Sequence, residues 1–366
     1  MKIAILETGH FQYALTQTEV FSECDITYFT TEEIRTQMID YSPELLNKNY
    51  EIIKSIASSY QSIIDKLNKD KFDLLLISPV FDSYSELRKI VKSINCKIVL
   101  TTHNINTWFN GRFWSPNSYK DRVNMRSIIK HSDYIAVEDF IFNHLKSTNH
   151  RYFQENSFIY IPFTIFHESE IRKYAKEDDR LKIVLTGHID GDRRRYEDIV
   201  EVINKFIGRS DQITFSFAGR AKGEYGIQIK KQLIDIQNSD AKLVSFFEDD
   251  STADDFRREM ETSDLVLSMS TKTFKGMGTV EFIGKTKPTA AIHDMMSYEL
   301  PGFLPSHLKI PTNLEGSVFN YNSISDLSEM INEILENRTL LKQYQDKAKE
   351  NSLNFTATEI RKNLPF

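Results

Sequence analysis

Residues 275–288 read KGMGTVEFIGKTKP, with Gly276 and Gly278 on either side of Met277, then Thr279, then a lone acid, Glu281. Glycines let backbone N–H groups come close to a ligand. Thr279 can cap a helix whose N-terminus favours negative charge, and Lys275 adds a cation to the same turn. A carboxylate at Glu281 can accept two hydrogen bonds from vicinal hydroxyls, the pair a ribose presents. A second stretch, LTGHIDGDRRRYEDIVEVI (185–203), has Gly187 and His188 in a turn and Arg193, Arg194 and Arg195 ahead of an amphipathic run. Guanidinium groups beside a helix N-terminus suit a diphosphate, because both supply donors to the same oxygens. The plainer alternative is a charged helix start paired with Glu197 or Glu201. Two shorter segments add to these. Gly9 and His10 in LETGHFQYAL sit where a strand turns into a helix, a place for an anion or only a tight turn. His103 in TTHNINTWFN, with Asn104 and Asn106 beside it, can donate to a sugar hydroxyl or phosphoryl oxygen, or simply cap a helix.

These segments need elements to position them, and the sequence supplies a repeating pattern. KIAIL (2–6), DITYF (25–29), DLLLIS (73–78), KIVLTT (97–102) and DYIAV (133–137) are apolar runs bounded by polar turns. Strands apolar throughout are those buried on both faces of a parallel sheet. Helical patterns lie between them, including one read over residues 42–69. FIYIPF (158–163) leads into a charged linker, 167–180, and the alternation restarts with KIVLTG (182–187), ITFSFAG (213–219), KLVSFF (242–247), DLVLSMS (264–270) and PTAAIH (288–293). Strands alternating with helices indicate βαβ units and a parallel sheet. Two such units follow, an N-terminal one over 1–165 and a C-terminal one over 170–349, with a final helix near 350–366 expected to return to the first. Every candidate sits at the carboxyl end of a strand, where open α/β sheets bind ligands.

The whole chain has 366 residues and a formal charge of −6, which argues against a protein that coats nucleic acid. Cys24 and Cys96 form neither a metal-ligand spacing nor a disulfide framework, so a reducing, cytoplasmic setting and no metal are expected. The first apolar run, IAIL, is too short for a signal peptide or a membrane span. The segment 108–130 holds both tryptophans with phenylalanines, a tyrosine and basic residues. It suits either a membrane interface, on the inner face, or a loop and helix folded over the cleft.

Taken in order, these motifs resemble the GT-B glycosyltransferases, above all the retaining nucleotide-sugar type classed as family four. The resemblance is clearest over 182–293 and looser over 1–165. Glu281 lies seven residues before Pro288, the spacing of the second glutamate of that family's two-glutamate motif, and Thr273 stands where the first would fall. LTGHIDGDRRR resembles the Gly-Arg-Leu…Lys-Gly segment, with His188 and Arg193 at its two basic positions. SDLVLSMS and TTHN resemble two further strand-end motifs. The resemblance implies a fold of two Rossmann-like domains facing each other across a cleft. It implies a metal-independent transfer of a hexosyl or related group from a nucleotide-diphosphate sugar, with no other cofactor, to a carbohydrate, lipid-linked or protein-linked acceptor in polysaccharide or glycoconjugate synthesis. Arg193, Arg194 and the turn Lys275–Thr279 would hold the diphosphate, Glu281 the ribose, and His103 the transferred sugar.

Three alternatives stand beside this reading. A sugar-nucleotide epimerase of the same fold needs acids in the first unit, where Glu7, Glu138 and Asp139 are the candidates. A nicotinamide dehydrogenase needs a Gly-x-Gly-x-x-Gly turn that LETGHFQ does not supply. A non-catalytic subunit of the same fold, stabilising a partner glycosyltransferase, would bind nucleotide without turnover.

Overall fold

The computed structural model describes residues 1–80, 82–110, 116–148, 151–167, 173–247, 252–276, 279–308 and 310–366. The first sheet contains β1 (Lys2–Glu7), β2 (Asp25–Thr30), β3 (Asn49–Ile52), β4 (Leu74–Ile77), β5 (Lys97–Thr101), β6 (Tyr134–Val137) and β7 (Phe158–Tyr160). The second contains β8 (Leu181–Thr186), β9 (Ile213–Ala218), β10 (Val244–Phe246) and β11 (Leu265–Leu267). A separate antiparallel pair, β12 (Thr273–Gly276) and β13 (Thr279–Phe282), follows. β14 (Gly302–Pro305) and β15 (Val318–Tyr321) then complete the second sheet. The orders are β3-β2-β1-β4-β5-β6-β7 and β10-β9-β8-β11-β14-β15. Each order reverses direction once, between β1 and β4 and between β8 and β11, which is the Rossmann-like arrangement with its ligand crevice at the switch point. Two such domains form a GT-B fold.

Burial explains the continuous apolar strands. Ile3 and Ile5 of β1 join one core with Leu74, Leu76 and Val99, whereas Ala4 and Leu6 join another with Leu75, Ile77 and Leu100. Successive side chains point to opposite faces, so a sheet covered on both faces needs every position apolar. The second of these cores continues into the other unit through Val184, Ile292, Met295 and Leu304.

Three sequence expectations change. Residues 42–69 are not one helix, because a short turn (Pro43–Asn47) and the edge strand β3 precede the helix Ile56–Asp70. PTAAIH is not a strand but opens the helix Ala290–Ser297. The GMGTVE stretch is not a helix start either, since β12 and β13 pair there as a hairpin.

Beyond the helices Ile324–Glu336 and Arg338–Ser352, the chain reaches back to the first sheet. Ile360 and Leu364 share a core with Ile3 and Tyr13, and the Phe366 ring lies 6.1 Å from Phe21 and 5.3 Å from Tyr134. No helix among the described residues is long and apolar enough to cross a membrane.

Candidate functional site

The second unit builds its half of the site around a bare-backbone turn after β8. Gly187 has φ +81° and carries the Arg194 guanidinium against its Cα, so a side chain there would collide with it. Gly219, at the end of β9, faces the Gly187 carbonyl so closely that a Cβ would overlap it. Arg194 donates to the His188 carbonyl at 3.2 Å. Arg193 lies with its guanidinium 4.7 Å from the centre of the Phe274 ring, and Lys287 approaches the same ring at 4.9 Å. Two cations therefore share one aromatic ring. Among the described residues no carboxylate forms a salt bridge with Arg193, Arg194 or Lys287. Burial, reinforced by the charge of Arg193, lowers Lys287 to about 8.

The first unit contributes its strand ends. His103, just past β5, stands 5.8 Å from His10 and 5.5 Å from Phe163, centre to centre. Burial and the neighbouring His10, His293 and Lys287 push His103 well below the usual imidazole range, so it is neutral at physiological pH. It can then both donate and accept a hydrogen bond. Lys287 Nζ donates to Asn104 Oδ1 at 2.7 Å, which joins the cations of one unit to the histidine strand end of the other. Phe163 stacks on His293 at 5.7 Å, and the His293 ring pairs with Glu138 across the two units.

The placement of the sequence candidates is mixed. Arg193, Arg194, Gly187, His188 and His103 lie at strand ends, with the His188 imidazole lowered by partial desolvation of its ring and by Lys222. Gly9 and His10 offer their N–H groups not to open space but to Glu7 Oε1, at 2.6 and 2.7 Å, so the chain's own carboxyl already occupies the first strand end. Gly276 serves packing, since a Cβ there would sit 2.6 Å from the Phe274 ring. Lys275 is exposed on the hairpin. Met277 and Gly278 lie outside the described residues.

Glu281 departs furthest from expectation. It is fully buried in β13, and Thr279 beside it is buried too. Its Oε1 accepts from the Thr107 N–H at 2.7 Å and the Thr107 hydroxyl at 2.9 Å. Its Oε2 accepts from the Asn106 N–H at 3.1 Å and the Thr286 hydroxyl at 2.7 Å. Both oxygens are thus engaged by protein groups, and the expected ribose contact has lost both its helix and its open acceptors.

Sequence reading missed Phe274, Lys287 and His293, and it named Glu138 only as a candidate acid of an epimerase, not as the partner of His293. Lys287 was visible only as the Lys of a terminal Lys-Pro. His293 was hidden because PTAAIH reads as a strand. Among the described residues no group of three or more His, Cys, Asp and Glu side chains is arranged to hold a metal ion.

No family model matches the chain, and no curated protein matches it. Solved structures do. Sucrose-phosphate synthase from Thermosynechococcus elongatus superposes with a TM-score of 0.65 at 12% identity, covering 99% of this chain and 96% of the other. The Anabaena protein HepE in complex with UDP gives 0.63 at 13%, covering 99% and 98%. UDP-GlcNAc 2-epimerase from Methanocaldococcus jannaschii gives 0.55 at 14%, covering 96% and 99%. At such identities the likeness is one of fold, shared by nucleotide-sugar glycosyltransferases and epimerases alike.

Proposed function

We propose that this protein is a glycosyltransferase that takes a sugar from a nucleotide-diphosphate donor. One observation carries the reading. Arg193 and Lys287 converge on the Phe274 ring without a carboxylate partner among the described residues, 2.7 Å by way of Lys287 from the strand end that bears His103. A diphosphate held by these cations, with Arg194 and His188 nearby, would set the anomeric carbon towards His103. Neutral His103 would then orient the sugar hydroxyls. Fixed cations stabilise the charge that grows on the departing diphosphate as the sugar–oxygen bond breaks, without reorganisation at that moment. The first unit would take the acceptor, a carbohydrate or a lipid- or protein-linked glycan in polysaccharide or glycoconjugate synthesis. The exposed Tyr119 and Val123 on the helix Pro116–His131 suit contact with a membrane face. Thr273 is exposed on the hairpin and Glu281 is bound to the helix Ile105–Asn110, so neither position of the family-four two-glutamate motif presents a free carboxylate to the donor.

A second reading rests on the acids of the first unit. Burial raises Glu7 to about 7 and Asp139 to about 6, values suited to proton exchange near neutrality, as an epimerase requires. A thermal-shift panel of UDP, GDP, ADP and CMP compounds tests the donor site. Arg193→Ala and Lys287→Ala should abolish any stabilisation, and a panel in which nothing stabilises the wild type refutes the reading. Incubating the stabilising nucleotide sugar without acceptor then separates the two readings, since only an epimerase converts it to its epimer.

A further inference from the structure

The helix Ile105–Asn110 follows His103 and Asn104 directly, and its first turn has a peculiar set of acceptors. Trp108 N–H donates to the Asn104 carbonyl at 3.1 Å, so Asn104 is the capping residue by backbone position. A capping asparagine ordinarily turns its side-chain oxygen onto the N–H groups two and three residues ahead. Here those groups, on Asn106 and Thr107, donate to Glu281 of the other unit instead. The Ile105 N–H donates to the Thr286 carbonyl at 3.0 Å. Asn106 Nδ2 donates to the Val280 carbonyl at 2.9 Å, and the Thr107 and Thr279 hydroxyls meet at 2.7 Å. All three leading N–H groups of the helix are therefore accepted by residues 281–286 of the second unit, and Asn104 Oδ1 is left to receive Lys287.

We infer that Glu281 is a positioning residue: by capping the 105–110 helix from the second unit it frees the Asn104 side chain to hold Lys287 beside His103. A capping oxygen is interchangeable between a carboxylate and an amide, so without Glu281 the Asn104 side chain returns to its own helix and Lys287 loses its anchor. The same carboxylate also contributes its charge to the surroundings of Lys287, whose other charged and titratable neighbours are Arg193 and His103. The assignment of Lys287 to a diphosphate rests on the donor reading above, whereas the exchange of caps does not.

The test compares full-length wild type, Glu281→Ala, Glu281→Gln and Asn104→Ala. Titration of the Lys287 Cε resonance by NMR needs no ligand. It should show the ammonium near 8 in wild type and moved further down in Glu281→Ala, because the carboxylate charge and the Asn104 anchor both favour the charged form, with Glu281→Gln, which keeps an accepting oxygen but not the charge, falling less. Affinity is read with whichever of UDP, GDP and ADP stabilises wild type, against the bare nucleoside. Loss of one hydrogen-bonded anchor of a charged group should weaken the diphosphate ~10-fold in Glu281→Ala and leave the nucleoside unchanged. Wild-type titration and wild-type diphosphate affinity in Glu281→Ala would overturn the inference. If Glu281→Ala fails to fold, Glu281→Gln and Asn104→Ala decide together: the amide that keeps the cap should retain diphosphate affinity while Asn104→Ala loses it, and a loss in Glu281→Gln as large as that in Asn104→Ala overturns the inference. If no diphosphate binds wild type, the donor reading falls while the NMR comparison still judges the role of Glu281.

Discussion

Glu138 Oε2 lies 3.1 Å from His293 Nε2, and the two side chains come from different units. Glu138 follows β6 of the first sheet, while His293 rides on the helix Ala290–Ser297 of the second unit. Burial alone would lower the imidazole, but the charge and hydrogen bond of Glu138 outweigh it and the His293 pKa is raised. A histidine with a raised folded-state pKa stabilises the protein fully below the unfolded value near 6.5, and that stabilisation is lost as pH rises through the folded value. Glu138→Gln should remove this component. It should destabilise the protein at pH 6 by about 1–3 kcal/mol, the range for removing a partner of a buried charged hydrogen bond, and by less at pH 8. Thermal unfolding of both proteins across that range measures it.

Glu7 gives a second pH signature of the same sign in a different window. Burial raises its carboxyl from 4.5 to about 7, despite the N–H groups of Gly9 and His10 that favour the ionised form. The folded state therefore holds a proton that the unfolded chain releases, and stability falls as pH climbs from about 4.5 to 7. Integrated over that window the effect is of order 3 kcal/mol. Glu7→Gln should flatten this part of the curve and leave the His293 component in place, as pH-dependent denaturant melts would show.

On the donor reading proposed above, Lys287 should set the alkaline limit of diphosphate binding. With its pKa lowered to about 8, it loses its charge as pH rises past that value, and diphosphate affinity should fall with it. Arg193 keeps its charge, so a residual affinity should persist above pH 9. Lys287→Arg should move the fall to higher pH, and isothermal titration with the stabilising nucleotide between pH 7 and 9.5 would detect both.

Gly219→Ala should be among the most damaging single substitutions. The new Cβ meets backbone, the Gly187 carbonyl, rather than the end of a side chain that can swing away. A loss of roughly 3 kcal/mol or more, from overpacking between two turns, is expected. Gly208→Ala offers the contrast, because nothing stands within 4 Å of its Cβ and only its φ of +85° resists the change. Urea unfolding of the two variants should rank them in that order.

Much of this fold is legible in the sequence because parallel strands buried on both faces leave unbroken apolar runs, as DLLLIS and KIVLTT do. The Gly187 turn and its arginines were equally visible, since glycine scarcity made them conspicuous. The hairpin β12–β13 was not. β13 alternates with period two, but with the polarity inverted: Thr279 and Glu281 are buried while Val280 and Phe282 are exposed. A pattern rule that puts apolar residues inside cannot recover such a strand. The first-unit partners of Glu281 also lie 174 and 175 positions away, and Glu138 is far in sequence from His293, so neither pairing leaves a local signal. β3 escaped for a related reason. NYEI is a half-exposed edge strand whose residues fit the helical spacing around it.

The returning tail gives the molecule a mechanical character. The chain passes between the units near Phe166 and again near Phe355, and the two passages are joined by a hydrogen bond from the Phe166 N–H to the Phe355 carbonyl at 3.0 Å. The two passages are thus tied to each other as well as to the units they join. Any separation of the two units would have to break the bonds between Glu281 and the first turn of the 105–110 helix while the two passages stay joined at Phe166 and Phe355.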